Sequence, residues 1–378
     1  MWLIIKRLAP ERALPDPVFP HRSTFVFARR ALCRILPESR DSRLQVERSA
    51  LRIFANGLPV GPARGTMACM ALLASACATS PAGSGADEPR DIRITGTGVY
   101  PESVTSDSAG NIYVGSMGGT IYRAEAGSHV AVPWVEPDAE NGLISLFGVL
   151  VDERHDRLWT CSNPNAFAAN GPTGGSSLVA FELSTGELDA RYPLPEGPAA
   201  CNDIAVEAGG TVFATETAGG RIFSLSPGAG ALRLFAHGEE LVGVDGIAFA
   251  GDGTMYVNNV RANLVQRVNR DAAGDYAGLT DLLLSEPVSG PDGLRPVGGN
   301  RFLQAEGSGG RVALITIEGD RAEVTPIATG LDSSPGVTRV GSIGYATEGK
   351  IKYLIDPALQ GQDPGHFYIR AFTLPEGL

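Results

Sequence analysis

Four residues of this chain, Glu102, Asn202, Asp245 and Asp292, have the type and spacing to hold a hard cation. All four offer oxygen, and none is His or Cys. That donor set suits Ca²⁺ first, with Mn²⁺, Mg²⁺ and Zn²⁺ as alternatives, and suits a structural zinc site least. With Phe147 and Val337 the four fall at one repeat phase, at intervals of 45, 55, 43, 47 and 45 residues. Three carboxylates gathered at one point repel one another, and a divalent cation removes that cost. A cation so held can polarise the carbonyl of a bound molecule. A carboxylate not needed as a ligand, Asp292 or Glu102, is then the candidate base for the attacking water. Taken singly, each of these residues reads better as a turn former, since Asn and Asp are common before strands. Their coincidence at one phase is what argues for a site.

Residues so far apart meet only if the elements that carry them repeat. Gly243 to Asn259, GVDGIAFAGDGTMYVNN, shows the unit: a short alternating strand, a Gly-Asp-Gly turn and a second strand. Copies begin at Val99, Leu146, Ala200, Gly290 and Pro335. The third copy gives four strands, Asp203–Val206, Thr211–Thr215, Arg221–Leu225 and Ala231–Phe235. Four short strands in about 45 residues are one propeller blade. The expected fold is therefore all-β, a six-bladed β-propeller whose inner strands line a central channel and bring the four donors together. The sixth unit offers only three clear strands, the last being Phe367–Leu374. The segment Asp91–Ile94 (DIRI) is expected to supply the fourth and close the ring.

Other residues fall at the same end of the blades. Asn259 and Arg261 follow the second strand of blade four, and Glu216 and Glu306 do so in blades three and five. With Asn202 they are candidate substrate contacts, the competing reading being solvated loops. His129, His155, His237 and His366 fall on outer strands, turns or loops and read as surface residues rather than bases. There is no Gly-x-Ser-x-Gly nucleophile elbow, and the paired glycines (Gly118-Gly119, Gly219-Gly220) read as strand turns rather than phosphate cradles.

The 378 residues include 48 Gly and 26 Pro with 43% hydrophobic residues, a composition of many turns around an adequate core. Charge is uneven. Residues 1–66 hold 12 Lys and Arg against 5 Asp and Glu, which leaves the remainder at a net −18. So acidic a globular part argues against a nucleic-acid partner and suits a cation. Residues 1–66 carry no repeat unit and read as a leader, either a transit peptide or the product of a mis-assigned start. From Met67, MACMALLASACATSPAGSGADEP reads as a secretion signal and linker through residue 90, with Cys77 placed as a lipidated cysteine. The run is too short to cross a membrane as a helix. The expectation is an exported monomer, periplasmic or tethered to the membrane only through a lipid at Cys77. Cys161 and Cys201 are the two cysteines of the domain. They form one disulfide or remain buried thiols, and two cysteines alone favour the thiols.

Residues 91–375 resemble the gluconolactonase, regucalcin (senescence marker protein) and luciferin-regenerating enzyme family. The matching segments are PESV (Glu102), CNDIAV (Asn202), VDGIAF (Asp245) and GPDGL (Asp292). The resemblance implies a six-bladed propeller, a divalent-metal site on those residues and hydrolysis of a sugar lactone or ester. Asp245 stands where the family usually has Asn, and Asn202 corresponds to a residue that often contacts substrate. The family's substrate-gripping Arg has no clear counterpart here. Paraoxonase-like lactonases, with a His base, and strictosidine synthase-like propellers share the architecture, and nothing in the residues selects them. The alternative from a different class is a non-catalytic ligand-binding or scaffold propeller in which a cation pins the inner strands.

Overall fold

The computed structural model describes residues 88–164, 175–195 and 199–378. The leader and the signal-like run with Cys77 lie outside the described residues. Those described build six four-stranded antiparallel units, with one extra two-residue strand, Leu283–Leu284, beside the fifth. The first strands of the units are Pro101–Ser106, Ser145–Asp152, Cys201–Val206, Val244–Phe249, Pro291–Gly298 and Val337–Val340. Each contacts the first strand of the next unit, and the last contacts the first, so the six form a closed ring. Among the described residues no helix is long and apolar enough to cross a membrane.

The burial pattern follows from packing blade against blade. Second strands such as Val212–Glu216 (VFATE) and Met255–Asn259 (MYVNN) are buried at every residue, because a neighbouring blade covers each face. The core accordingly lies between blades: Cys161 and Leu178 of blade two meet Ile204, Val212 and Phe223 of blade three. Outer strands have one face in water, and Leu188–Pro193 alternates between half-buried and exposed. This is why the second strands are buried on both faces while the outer ones alternate.

In blade three the third strand, Arg221–Leu225, falls where the pattern puts it, but the fourth runs Arg233–His237, two residues late. The turn after Leu225 is longer than its Gly-rich sequence suggests, with Ala229 N–H donating to Ser226 and Gly228 at φ 75°. The ring closes as expected. Ile92–Ile94 pairs antiparallel with Phe367–Thr373, in the register Ile92 to Ile369. It also pairs in parallel with Val130–Val135 of blade one, so the first and last blades share one eight-stranded sheet. Cys161 and Cys201 are joined by a disulfide between blades two and three, against the expectation of thiols. Their Cα atoms stand 5.2 Å apart, an ordinary span for the bond. Adjacent blades bring together two cysteines that are 40 residues apart in the chain.

Candidate functional site

Asp245-Gly246 and Asp292-Gly293 are not turns. Asp245 and Asp292 lie inside the inner strands Val244–Phe249 and Pro291–Gly298, as Glu102 and Asn202 do in theirs. Each inner strand of blades one to five has a register shift at this position, between Pro101 and Ser103, Leu146 and Val149, Cys201 and Ile204, Val244 and Ile247, and Pro291 and Leu294. A β-bulge re-aims side chains and leaves backbone groups unpaired. Those groups are taken up by the second strand. Thr215 Oγ1 accepts from Asp203 N–H at 2.9 Å and donates to the Asp245 carbonyl of the next blade at 2.6 Å. Asn258 does the same between Gly246 N–H, at 2.8 Å, and the Asp292 carbonyl, at 2.6 Å. The glycines after Asp245 and Asp292 serve close approach: a Cβ at Gly246 would sit 2.2 Å from the Asp292 carbonyl oxygen.

This pattern corrects the sixth position. Gly293 N–H donates to the Pro335 carbonyl at 2.9 Å, and Gly336 N–H donates to Thr347 Oγ1 at 2.9 Å. Pro335, not Val337, therefore stands in phase with Asp292. Equal spacing missed it because the loop into blade six is two residues shorter than the interval assumed.

Glu102, Asp245 and Asp292 are all buried. Burial first, then the charges of Asp292 and Asp203, hold the Glu102 carboxyl well above its ordinary range, with Arg295 partly offsetting them. Burial, then Asp292 and Glu102, do the same to Asp245. Asp292 is pushed up to about 8, chiefly by burial. The Asp245 and Asp292 carboxyls act on each other, and Asp292 adds to the raising of Asp245. Asn202 Nδ2 donates to Asp245 Oδ2 at 2.9 Å and to Thr217 Oγ1 at 2.8 Å. Asp245 Oδ1 and Glu102 Oε1 are buried and meet no hydrogen-bond partner among the described residues.

These observations allow the cation to be tested against the residues. Among the described residues no three acidic, His or Cys side chains stand ready in the arrangement of a metal site. The donor chemistry nevertheless fits. Two orphaned carboxylate oxygens, three buried acids that raise one another and a neighbouring amide are what a hard divalent cation would satisfy. Glu102, Asn202, Asp245 and Asp292 are the residues that would hold it.

Glu102 and Asp292 reach a cavity of about 510 Å³ at this mouth of the channel. Arg261 also lines it, and so do Met117 and Pro335. Three other candidate contacts face elsewhere. Glu216 is fully buried and accepts from the N–H groups of Ala200, Ala218 and Gly219 while pairing with Arg221 at 2.8 Å. Glu306 accepts from Ser289 N–H at 2.7 Å and pairs with Arg311 at 2.9 Å. Asn259 Oδ1 accepts from the N–H groups of Arg261 and Ala262. These side chains hold the turns that follow their strands, because the turns leave backbone donors unpaired.

Two features of the site carried no signal in the repeat. One is Arg295, three residues past Asp292 and buried in the channel. It pairs with Asp203 at 2.8 Å and donates to Ser103 Oγ and the Val149 carbonyl, at 3.3 Å each. Blades one, two, three and five thus meet on one guanidinium. A second cavity, of about 360 Å³, begins on its far side, lined by Arg295, Asp152 and His155. The other is the long connection between Ile343–Thr347 and Phe367–Thr373 in blade six, which brings Ile351, Lys352 and Ile355 to the main cavity.

The fold can be set beside known proteins. A luciferin-regenerating enzyme superposes with a TM-score of 0.53 at 12% identity, covering 77% of this chain and 96% of that one. A protein assigned as a gluconolactonase gives 0.52 at 14%, covering 78% and 95%. Regucalcin, a calcium-binding protein from Agrobacterium tumefaciens strain C58, gives 0.51 at 15%, covering 75% and 97%. The chain has the fold of these propellers. At such identities the likeness speaks for the fold alone. The N-terminal part of the strictosidine synthase-like family matches residues 92–124, the closing strand and the first three strands of blade one. No curated protein matches the chain in sequence.

Proposed function

We propose that the chain is a hydrolase of a small lactone or ester that works with a divalent cation. The observation that carries this reading is a buried set of three carboxyls, two with orphaned oxygens, at the base of a cavity large enough for a small ligand. The family resemblance and the shared fold support it. When bound, the cation supplies Lewis-acid polarisation of the carbonyl. The chain's own residues do the rest. Asp292 or Glu102, both reaching the cavity, accepts a proton from the water that adds to the carbonyl carbon. The acyl carbon–oxygen bond then breaks, and the alkoxide takes a proton back. Asp292, raised to about 8 chiefly by burial, must lose its proton to take this role. The Arg295 cluster, buried between the two mouths, keeps solvent from the far side. Activity on a panel of lactones, with chelator and with Ca²⁺, Mn²⁺ or Zn²⁺ restored, is the test. Hydrolysis should require the cation and should be lost in Asp292→Ala. Glu323→Ala, on an exposed outer strand, should behave as the parent. Turnover at the parent rate in Asp292→Ala would leave a binding or scaffold propeller instead.

We also propose export. Formation of the Cys161–Cys201 disulfide requires an oxidising compartment, which agrees with the signal-like run at residues 67–90.

A further inference from the structure

We propose that the Cys161–Cys201 disulfide positions Asn202 for the cation, so that the oxidised chain holds the ion more tightly than the reduced one. The proposal rests on the cation reading of the four donors and gives the bond a part in it.

The residue before each donor is the first reason. The donors sit in register shifts, where the ladder holds the backbone less well than in a regular strand. Ahead of Glu102 and Asp292 stand Pro101 and Pro291. A proline ring fixes its own φ, so these two strands enter the shift with a stiffened backbone. Ahead of Asn202 stands Cys201, whose sulfur is bonded to Cys161. A covalent link thus falls where two other blades have a ring. Asp245 follows Val244, which has neither, and takes a hydrogen bond from Asn202 Nδ2 at 2.9 Å instead. Fixing Asn202 therefore helps to fix two of the four donors.

The place of Cys161 is the second reason. It lies in the second strand of blade two, Arg157–Asn163, and both cysteines are fully buried. That strand is paired on both sides, with Ser145–Asp152 and with Ser177–Glu182, so it is a firm anchor. From the same strand Asn163 Nδ2 donates to the Cys201 carbonyl at 2.8 Å. The disulfide and this hydrogen bond reach from one strand to one residue. Blade two has Phe147 at the donor phase and gives no oxygen of its own there. Its part is to hold the donor of blade three. Reduction leaves the Asn163 hydrogen bond and removes the covalent tie. An amide with more freedom must be ordered again when the ion binds, and that cost weakens binding.

Ca²⁺ is the probe, titrated by calorimetry into the purified full chain, oxidised and reduced. A dithiol reduces it: the S–S bond breaks, two thiols form with two electrons and two protons from the dithiol, and the dithiol closes to its own disulfide. The reduced chain should bind Ca²⁺ at least tenfold more weakly. Cys161→Ala with Cys201→Val, which keeps the buried volume, repeats the comparison where the reduced chain does not stay folded. In Asn202→Ala the affinity should fall, and oxidised and reduced forms should differ by less than threefold. Ile369→Ala, buried in blade six far along the ring, should lower the melting temperature and keep the parent affinity. Coupling is reciprocal, so saturating Ca²⁺ should move the thiol–disulfide equilibrium of the folded parent toward the bond by the same factor, about 30 mV for tenfold. Equal affinity in oxidised and reduced chains would overturn the proposal and leave the cation site standing. So would a tenfold difference that persists in Asn202→Ala, or an equal loss in Ile369→Ala. Binding of neither Ca²⁺ nor Mn²⁺ to any form would remove the cation reading itself.

Discussion

Asp245 and Asp292 are both raised, because neither can ionise cheaply beside other acids in a buried place. The consequence is a pH dependence of known sign. Asp292 has a folded pKa of about 8 against an ordinary 3.8. Below the ordinary value both folded and unfolded chains keep the proton, and the contribution to stability is full. Between the two values only the folded chain keeps it, so stability falls as pH rises, and the contribution is gone above about 8. In chelator, Asp292→Asn should therefore lose less stability than the parent between pH 5 and 8.5, measured by thermal melts. A parallel decline in both would mean that Asp292 is ionised in the folded chain. Glu216 has a structural role instead, since it accepts from three backbone N–H groups and pairs with Arg221. Glu216→Ala should lower stability by about 2–3 kcal/mol and leave ligand binding intact. The two kinds of acid look alike in sequence. The repeat phase separates Asp292 from a turn residue. Nothing local tells whether a polar side chain at a strand end faces a cavity or its own turn, so the sequence could not show that Glu216, Glu306 and Asn259 hold their turns while Arg261 lines the cavity.

The blade was legible because its signals are local: short alternating runs, Gly turns at fixed offsets and one count of strands left over. That count was enough to place Ile92–Ile94 in the last blade, where its two isoleucines are buried and Asp91 accepts from Arg370 at 2.6 Å. A chain begun at Gly96 should expose the edge of Phe367–Thr373. It should melt well below a chain begun at Asp91, or aggregate. Equal melting would show that the strand closes nothing. The bulges were not legible, because a bulge differs from a regular strand by one unpaired residue and leaves the alternation on either side intact. The disulfide was illegible for a related reason, since two cysteines fix no partner until blades two and three are seen to be adjacent. It closes a 40-residue loop, which on a chain-entropy estimate is worth about 4 kcal/mol. Cys161→Ser with Cys201→Ser should lower stability by a few kcal/mol, and the parent should lose about as much in reductant. No change in either would mean that the bond does not form in solution.

At the scale of the ring, two devices hold the blades around one axis. The first is Arg295, which joins four blades through Asp203, Ser103 and the Val149 carbonyl. It lies 92 residues from Asp203 and off the repeat phase, so periodicity could not reveal it. Removing it alone leaves Asp203 buried without its partner, which should cost about 3–5 kcal/mol. The second is the carboxyl cluster above it, where a cation would link blades one, three, four and five through Glu102, Asn202, Asp245 and Asp292. Such a cation binds only the folded ring, because the unfolded chain scatters these residues over 190 positions of sequence. At a hundred times its dissociation constant it should stabilise the fold by about 2.7 kcal/mol. Adding Ca²⁺ or Mn²⁺ to chelated protein should therefore raise the melting temperature, and more so at pH 8 than at pH 5, since at pH 5 the cation must displace protons from Asp292 and its neighbours. Asp292→Ala should abolish the response, and Glu323→Ala should keep it. The Arg295 cluster supplies the control for position: Arg295→Met with Asp203→Leu should leave the cation response in place while changing the baseline stability. If the parent melts identically with and without cation at both pH values, the acids stay together without a cation, and the propeller works without a metal.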